Sequence, residues 1–277
     1  MISGKTTLIA HIGYPTHSFK APMIYNPYFE MEGIDAIVVP MGVKAEDFEA
    51  SFRQIFRFSN IHGALITMPH KVSVVAMLDA VTASVRVAGS CNAVLLRPDG
   101  TLFGDMFDGE GFVRGVIRKG QTLKNAKVLV VGTGGVGSAI AASLAAAGVA
   151  MMGLYDVNCA SCERLALRLR ENYPKLEVKT GLNDPAGYDV VVNATPMGMN
   201  PGDPMPMDVS RIAATTFVGE VVMKQEMTAF LQAAKDRGCR YQIGTDMLFE
   251  QIPAYLEFFG FKTTTAEVLR DVAKLAY

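Results

Sequence analysis

Two kinds of residue pattern in this chain could carry chemistry. The first is the apolar run Val128-Leu129-Val130-Val131 followed by Gly132-Thr133-Gly134-Gly135-Val136-Gly137. Gly132, Gly134 and Gly137 form G-x-G-x-x-G after a strand-like run and before an Ala-rich helical stretch, 138–147. In that context the first glycine turns the chain, the second lets a pyrophosphate approach the backbone, and the third lets helix and strand pack closely. The N–H groups at the helix start would face the anion. The competing reading is that these glycines only permit close packing. Asp156 ends the next strand-like run, nineteen residues after Gly137. A carboxylate there accepts hydrogen bonds from the ribose hydroxyls and repels a 2′-phosphate, so NAD is expected over NADP, with NADP the second choice. The bland alternative for Asp156 is a helix N-cap. Arg164 lies further on and could reach back toward a phosphate, which is the weaker reading.

The second pattern is acid–base. Lys71 follows Thr67-Met68-Pro69-His70, just past a strand-like run. Asp108 stands in Gly104-Asp105-Met106-Phe107-Asp108-Gly109, at the start of a helical stretch. A Lys and an Asp meeting over one substrate hydroxyl can move its proton while hydride leaves the same carbon. On spacing alone, the commoner role of either residue is a surface charge. All four His (11, 17, 62 and 70) precede residue 71, so any His chemistry belongs to the N-terminal quarter. Cys159 and Cys162 form C-x-x-C without the second Cys or His pair that zinc requires. They read as two thiols at a helix start, with a redox pair as the alternative, and no metal is expected.

The elements that must position these groups alternate strand and helix, which indicates an α/β fold with a mostly parallel sheet. Strands are expected at 7–12, 36–41, 63–67, 126–131, 151–155, 177–180, 188–193, 216–223 and 240–244. A hairpin is expected over 91–104 around Pro98-Asp99-Gly100. Helices are expected at 22–32, 44–58, 71–78, 109–118, 138–147, 159–173, 228–237, 246–259 and 265–275, with a short helical turn at 209–212. Pro27 argues against the first of these helices, because an interior proline removes a hydrogen bond.

These motifs together resemble the shikimate dehydrogenase family, through nearly the whole chain. The resemblance rests on Gly13-Tyr14-Pro15 with Asn26, on Thr67-x-Pro69-x-Lys71, on Ala88-Gly89-Ser90-Cys91-Asn92 and on Asp108-Gly109-Glu110-Gly111-Phe112. It continues through the doubled Gly134-Gly135, Asn193-Ala194-Thr195-Pro196-Met197-Gly198-Met199, and Met247-Leu248 with Gln251. It implies an NAD(P)-dependent alcohol–ketone oxidoreductase that needs no metal. The implied layout is an N-terminal α/β substrate domain (1–108), a C-terminal Rossmann domain with a doubly wound parallel sheet (109–244), and last helices (245–277) packing back on the first domain. It assigns Lys71 and Asp108 as the catalytic pair and Thr67, Asn92 and Gln251 as substrate contacts. Gly132, Gly134, Gly135, Val136, Gly137, Asp156, Asn193, Thr195, Met199 and Gly244 fall on the cofactor side.

The sequence departs from the family where the substrate carboxylate should bind. Counting from Gly13, the two Ser of the S-x-S-P segment are Phe19 and Ala21, and the Tyr after the fifth Rossmann strand is Met223. The Asn two residues before the Thr is Leu65, and the Asn-Thr before the catalytic Asp is Met106-Phe107. Losing two donors to a charged group weakens carboxylate binding by about 3–6 kcal/mol. Lys20 could hold an anion as a point charge, and Thr16, His17 or Ser18 could also compensate. The substrate is therefore expected to be a ring or polyol hydroxy compound other than shikimate.

The chain has 277 residues with Lys plus Arg 26 and Asp plus Glu 27, which fits two domains and lacks the basic excess of a nucleic-acid binder. The apolar stretch 139–154 is too short to span a bilayer. The partners expected are a small-molecule substrate, with no nucleic acid and no membrane, for a cytoplasmic monomer or homodimer. The alternative is a non-catalytic NAD-binding regulatory protein of the same fold, which would need neither Lys71 nor Asp108.

Overall fold

In the computed structural model, residues 2–275 are described, and their strands collect into two six-stranded sheets, each belonging to its own unit. The first unit holds the residues up to Arg86, Ser90–Phe107, and those from Gln251 on. Its sheet contains β1 (Thr7–Gly13), β2 (Ala36–Gly42), β3 (Ile61–Ile66), β4 (Ala80–Val81), β5 (Ala93–Leu96) and β6 (Leu102–Asp105), in the order β2-β1-β3-β5-β6-β4. β1 lies parallel to both β2 and β3, and its Ile9, Ala10 and Ile12 are fully buried. β5 and β6 form the expected antiparallel hairpin. Its turn is held by Thr101, whose N–H and hydroxyl donate to Asp99 Oδ1, with Gly100 at φ +84°.

Helix α1 (Pro22–Glu32) runs unbroken through Pro27. The proline leaves the Met23 carbonyl without its N–H partner four residues on, and the Lys274 N–H takes that place at 2.9 Å. Helix α9 (Ala266–Val272), which precedes Lys274, packs on α1. Asn26 ties α1 to β2 by exchanging both of its amide hydrogen bonds with Val38. The stretch expected as one helix over 44–58 is a 3-10 turn, Ala45–Asp47, and then α2 (Phe48–Ile55). The helix expected over 71–78 is one 3-10 turn, Ser73–Met77. The chain has no room for more: Cys91 N–H holds the Lys71 carbonyl, and Asp79 pairs with Leu102 to start β4. β4 and α3 (Ala83–Ala88) did not emerge from the sequence pattern, being too short to show a period.

The second unit holds Val87–Gly89 and Asp108–Glu250. It contains α4 (Asp108–Arg118), β7 (Lys127–Val131), α5 (Gly135–Ala146), β8 (Met151–Tyr155), α6 (Cys159–Asn172), β9 (Glu177–Thr180), β10 (Val190–Asn193), β11 (Phe217–Glu220), α7 (Ala229–Asp236) and β12 (Tyr241–Gln242). A 3-10 turn covers Val209–Arg211. Every strand pair is parallel, in the order β12-β11-β10-β7-β8-β9. This is the doubly wound arrangement, with its switch point between β7 and β10. Residues 128–131 are buried on both faces, as a Val-rich parallel strand requires. Arg168 on α6 donates to the Val87 and Ala88 carbonyls at 2.7 and 3.0 Å, which places those residues with this unit. The first turns of α8 (Gly244–Phe258) belong here too, through ion pairs from Asp246 to Lys119 and from Glu250 to Arg118. Among the described residues, no helix is long and apolar enough to cross a membrane.

Candidate functional site

The glycines at the switch point each meet a different steric demand. Gly132 takes φ +99°, and its N–H donates to the Tyr155 carbonyl. Gly137 faces the Gly132 carbonyl so closely that a Cβ would overlap it. Gly134 has nothing within 4 Å of the position a Cβ would take, so its backbone lies open to a ligand. Gly135, Val136 and Gly137 form the first turn of α5, and their backbone N–H groups lie at the helix start. Asp156 Oδ2 accepts from the N–H and hydroxyl of Thr133 (2.6 and 3.0 Å), and Oδ1 accepts from the Asn158 N–H. The N-cap of α6 is Asn158, whose side chain receives the Ser161 N–H, so Asp156 is not the cap. It is a carboxylate pinned at the end of β8 beside the glycine loop.

Next to this loop, β10 ends in Asn193, which is fully buried. Its Oδ1 accepts from the Thr195 N–H and hydroxyl, and its Nδ2 donates to the Met197 carbonyl. Met199 closes the turn on Pro196. The Ala194 carbonyl group lies 2.7 Å from the position a Cβ on Gly132 would take, so the two loops abut. Gly244, at the start of α8, cannot carry a Cβ without overlapping the Val222 carbonyl. A dinucleotide fits this set: a helix start for the pyrophosphate, an open glycine for its approach, and a fixed carboxylate for the ribose.

One residue of this unit was missed from the sequence. Glu220 ends β11 in register with Asn193 and is fully buried. Its Oε2 accepts from the Thr228 hydroxyl at 2.9 Å, while Oε1 has no hydrogen-bond partner among the described groups. Burial pushes its carboxyl up to about 7, against hydrogen bonds from Thr228 and Asn193 that pull it down. The available signal was an acid at the end of an apolar strand.

In the first unit, Thr67 follows β3, and its N–H donates to the Ile12 carbonyl. Lys71 lies four residues on. Its carbonyl accepts from Cys91, and the neighbouring Asn92 receives the Phe107 N–H on Oδ1 at 2.9 Å. Asp108 is the next residue after Phe107, and it is 2% exposed. Asn92 Nδ2 and Gln251 Oε1 are buried without a partner among the described groups, as side chains reserved for a ligand's hydroxyls would be. The Phe19 ring stacks on His11 with centroids 4.1 Å apart. Its Cζ lies 3.0 Å from where a Cβ on Gly13 would sit, a position that Thr67 also crowds. Ala21 is buried, and Lys20 is largely covered, so burial lowers its ammonium from the ordinary value. His70 is structural: Nε2 bonds the Val43 carbonyl and the ring stacks on Phe48.

Cys162 is buried, with its thiol on the Leu154 carbonyl, and burial pushes it up to about 11, whereas Cys159 is exposed. Among the described residues, no three His, Cys, Asp or Glu stand close enough to hold a metal.

Residues 11–94 match the model of the shikimate dehydrogenase substrate binding domain, and residues 112–163 match that of the ThiF family. The chain is 33% identical to a shikimate dehydrogenase (NADP(+)) of Rubrobacter xylanophilus, over 90% of this chain and 89% of that one. Among solved structures it is similar to the 5-ketofructose reductase of Gluconobacter sp. strain CHM43, with TM-score 0.84, 25% identity and 98% of each chain covered. It is also similar to the quinate dehydrogenase of Corynebacterium glutamicum in complex with NAD, with TM-score 0.84, 27% identity and 96% and 98% covered.

Proposed function

The chain belongs to the shikimate dehydrogenase family of NAD(P)-dependent CH–OH dehydrogenases, and on that premise we propose that it acts on a ring or polyol hydroxyl of a substrate without shikimate's carboxylate. The observation that carries this reading is Phe19, whose ring lies on His11 and against the Gly13–Thr67 contact, with the buried methyl of Ala21 two residues on. A carboxylate placed beside these apolar groups would lose its hydration without gaining donors. The relative named as a reductase of a keto sugar supports the same class.

A nicotinamide held at the glycine loop would supply the hydride chemistry. The chain's own groups do the rest. Lys71 and Asp108 hold and move the proton of the reacting hydroxyl, and Thr67, Asn92 Nδ2 and Gln251 Oε1 orient the neighbouring hydroxyls. NAD is the preferred cofactor in this reading, because the pinned Asp156 carboxylate presents fixed negative charge to a 2′-phosphate. The shikimate dehydrogenase relatives are named for NADP(+), so the ratio of kcat/KM for NAD and NADP decides this point directly. Steady-state assays with shikimate, quinate and 5-ketofructose test the substrate class. Turnover of shikimate at about 10⁴ M⁻¹s⁻¹ or above, within the ordinary enzyme range, would refute it.

A further inference from the structure

The four His of this chain have different fates. His70 and His62 spend a ring nitrogen on the carbonyls of Val43 and Phe259. His11 does not: it is 7% exposed, and its Nδ1 has no hydrogen-bond partner among the described groups. It lies in β1 opposite Leu65, and strand alternation places it on the face of Gly13, where Thr67 and the Phe19 ring converge. The Phe19 ring covers one face of the imidazole. Burial first, and the Lys71 charge second, lower its basicity to about 3. An imidazole so held stays neutral near pH 7, so it can exchange a hydrogen bond but cannot act as a proton reservoir.

A buried imidazole nitrogen without a partner costs stability. Nothing in the packing of β1 requires it, since a phenyl ring would stack on Phe19 equally well. We propose that His11 is a substrate-binding residue: its neutral imidazole hydrogen-bonds a hydroxyl of the ring or polyol substrate, on the side where Phe19 and Ala21 exclude a carboxylate. This rests on the substrate reading above and adds one contact to it.

The test compares wild type with His11→Phe and His11→Asn, using shikimate, quinate and 5-ketofructose with each cofactor. For the substrate best turned over, H11F should raise KM by about tenfold or more with kcat within about threefold, as the loss of one hydrogen bond predicts. H11N, which keeps a donor and an acceptor, should recover most of that loss. The melting temperature of H11F should rise by about 2–4 °C, because the orphaned nitrogen is gone and the stack is kept. Unchanged KM in H11F overturns the proposal. So does a raised KM accompanied by a lower melting temperature in both variants, which marks a structural residue. If wild type turns over none of the three compounds, the substrate reading fails. His11 is then judged by stability alone, and a fall in the H11F melting temperature overturns its role.

Discussion

Gly134 and Gly137 separate folding from cofactor binding. Gly134 lies at φ −68°, which alanine adopts freely, with open space where the methyl would go. Gly134→Ala should therefore fold at least as well as wild type. A compatible Gly→Ala change stabilises by about 0.4–1 kcal/mol through the unfolded chain. The same methyl projects into the space a pyrophosphate needs in order to reach the N–H groups of α5. Losing one hydrogen bond to a charged group costs about 1.5–3 kcal/mol, or roughly one to two decades in affinity. Gly137→Ala behaves differently. Its methyl would overlap the Gly132 carbonyl, with Ala194 Cβ only 3.1 Å away on another side, and a backbone oxygen cannot swing clear. Strand and helix must separate, at about 1–3 kcal/mol or more. The assay is a titration of NADH followed by its own emission, helped by the absence of Trp from the chain, with a thermal melt alongside. The expected pattern is weak binding with intact stability for G134A, and loss of both for G137A. If G134A binds NADH within about threefold of wild type, the loop does not cradle a pyrophosphate and the cofactor site is misassigned.

Other outcomes follow from the same geometry. Lys71→Ala should lower kcat by about 10²–10⁴ while NADH affinity is unchanged, and near-normal turnover would remove Lys71 from the proton transfer. Asp156→Asn should shift the NAD-to-NADP ratio of kcat/KM toward NADP by about tenfold, since it removes the charge that faces a 2′-phosphate; an unchanged ratio would mean that Asp156 only braces Thr133. Glu220 binds its proton more tightly in the folded protein (about 7) than in the unfolded chain (4.5). Its contribution is therefore present below about pH 4.5 and lost as pH rises through 7, amounting to about 3 kcal/mol. Glu220→Gln should flatten that part of a denaturation-against-pH curve, and an unaltered slope between pH 5 and 7.5 would show that Glu220 does not titrate there. His11 acts in the opposite sense: the unfolded chain takes the proton at 6.5, so stability falls as pH drops from there toward 3, and H11F should remove this acid-side loss.

The backbone of the glycine loop was legible in the sequence, because Gly132 and Gly137 answer local steric demands that only glycine meets. Gly132, Gly134, Gly137 and the strand before them fall where spacing placed them. Asp156 was legible as a position, and the structure adds that Asn158 rather than Asp156 caps α6. Phe19 could be counted into place from Gly13, but its partner could not: His11 sits in a strand whose alternation says only which face it takes. Glu220 was absorbed into an expected strand over 216–223 that in fact stops at Glu220, and its burial depends on Thr228 and Asn193 from other elements. Pro27 shows the same limit from the other side. Local propensity argued against a continuous α1, and the compensating donor, Lys274, comes from the far end of the chain. The hydrophobic period gave no sign of β4 or α3, which are too short to display one.

The connectivity also bears on how the protein is made. Neither unit is one continuous stretch of chain: the path changes unit after Arg86, Gly89, Phe107 and Glu250. During vectorial synthesis, the second unit has all of its residues once Glu250 leaves the ribosome. The first unit begins earlier but stays incomplete until the rest of α8, α9 and Lys274 have followed. The usual order, in which the N-terminal domain matures first, is thus inverted. The first sheet must wait, with the Met23 carbonyl of α1 unsatisfied, until the last helices arrive. A chain halted after residue 255 and extended by an appended linker that spans the exit tunnel would carry all residues of the second unit beside an unfinished first one, and chaperone contacts on it should concentrate on residues 7–66.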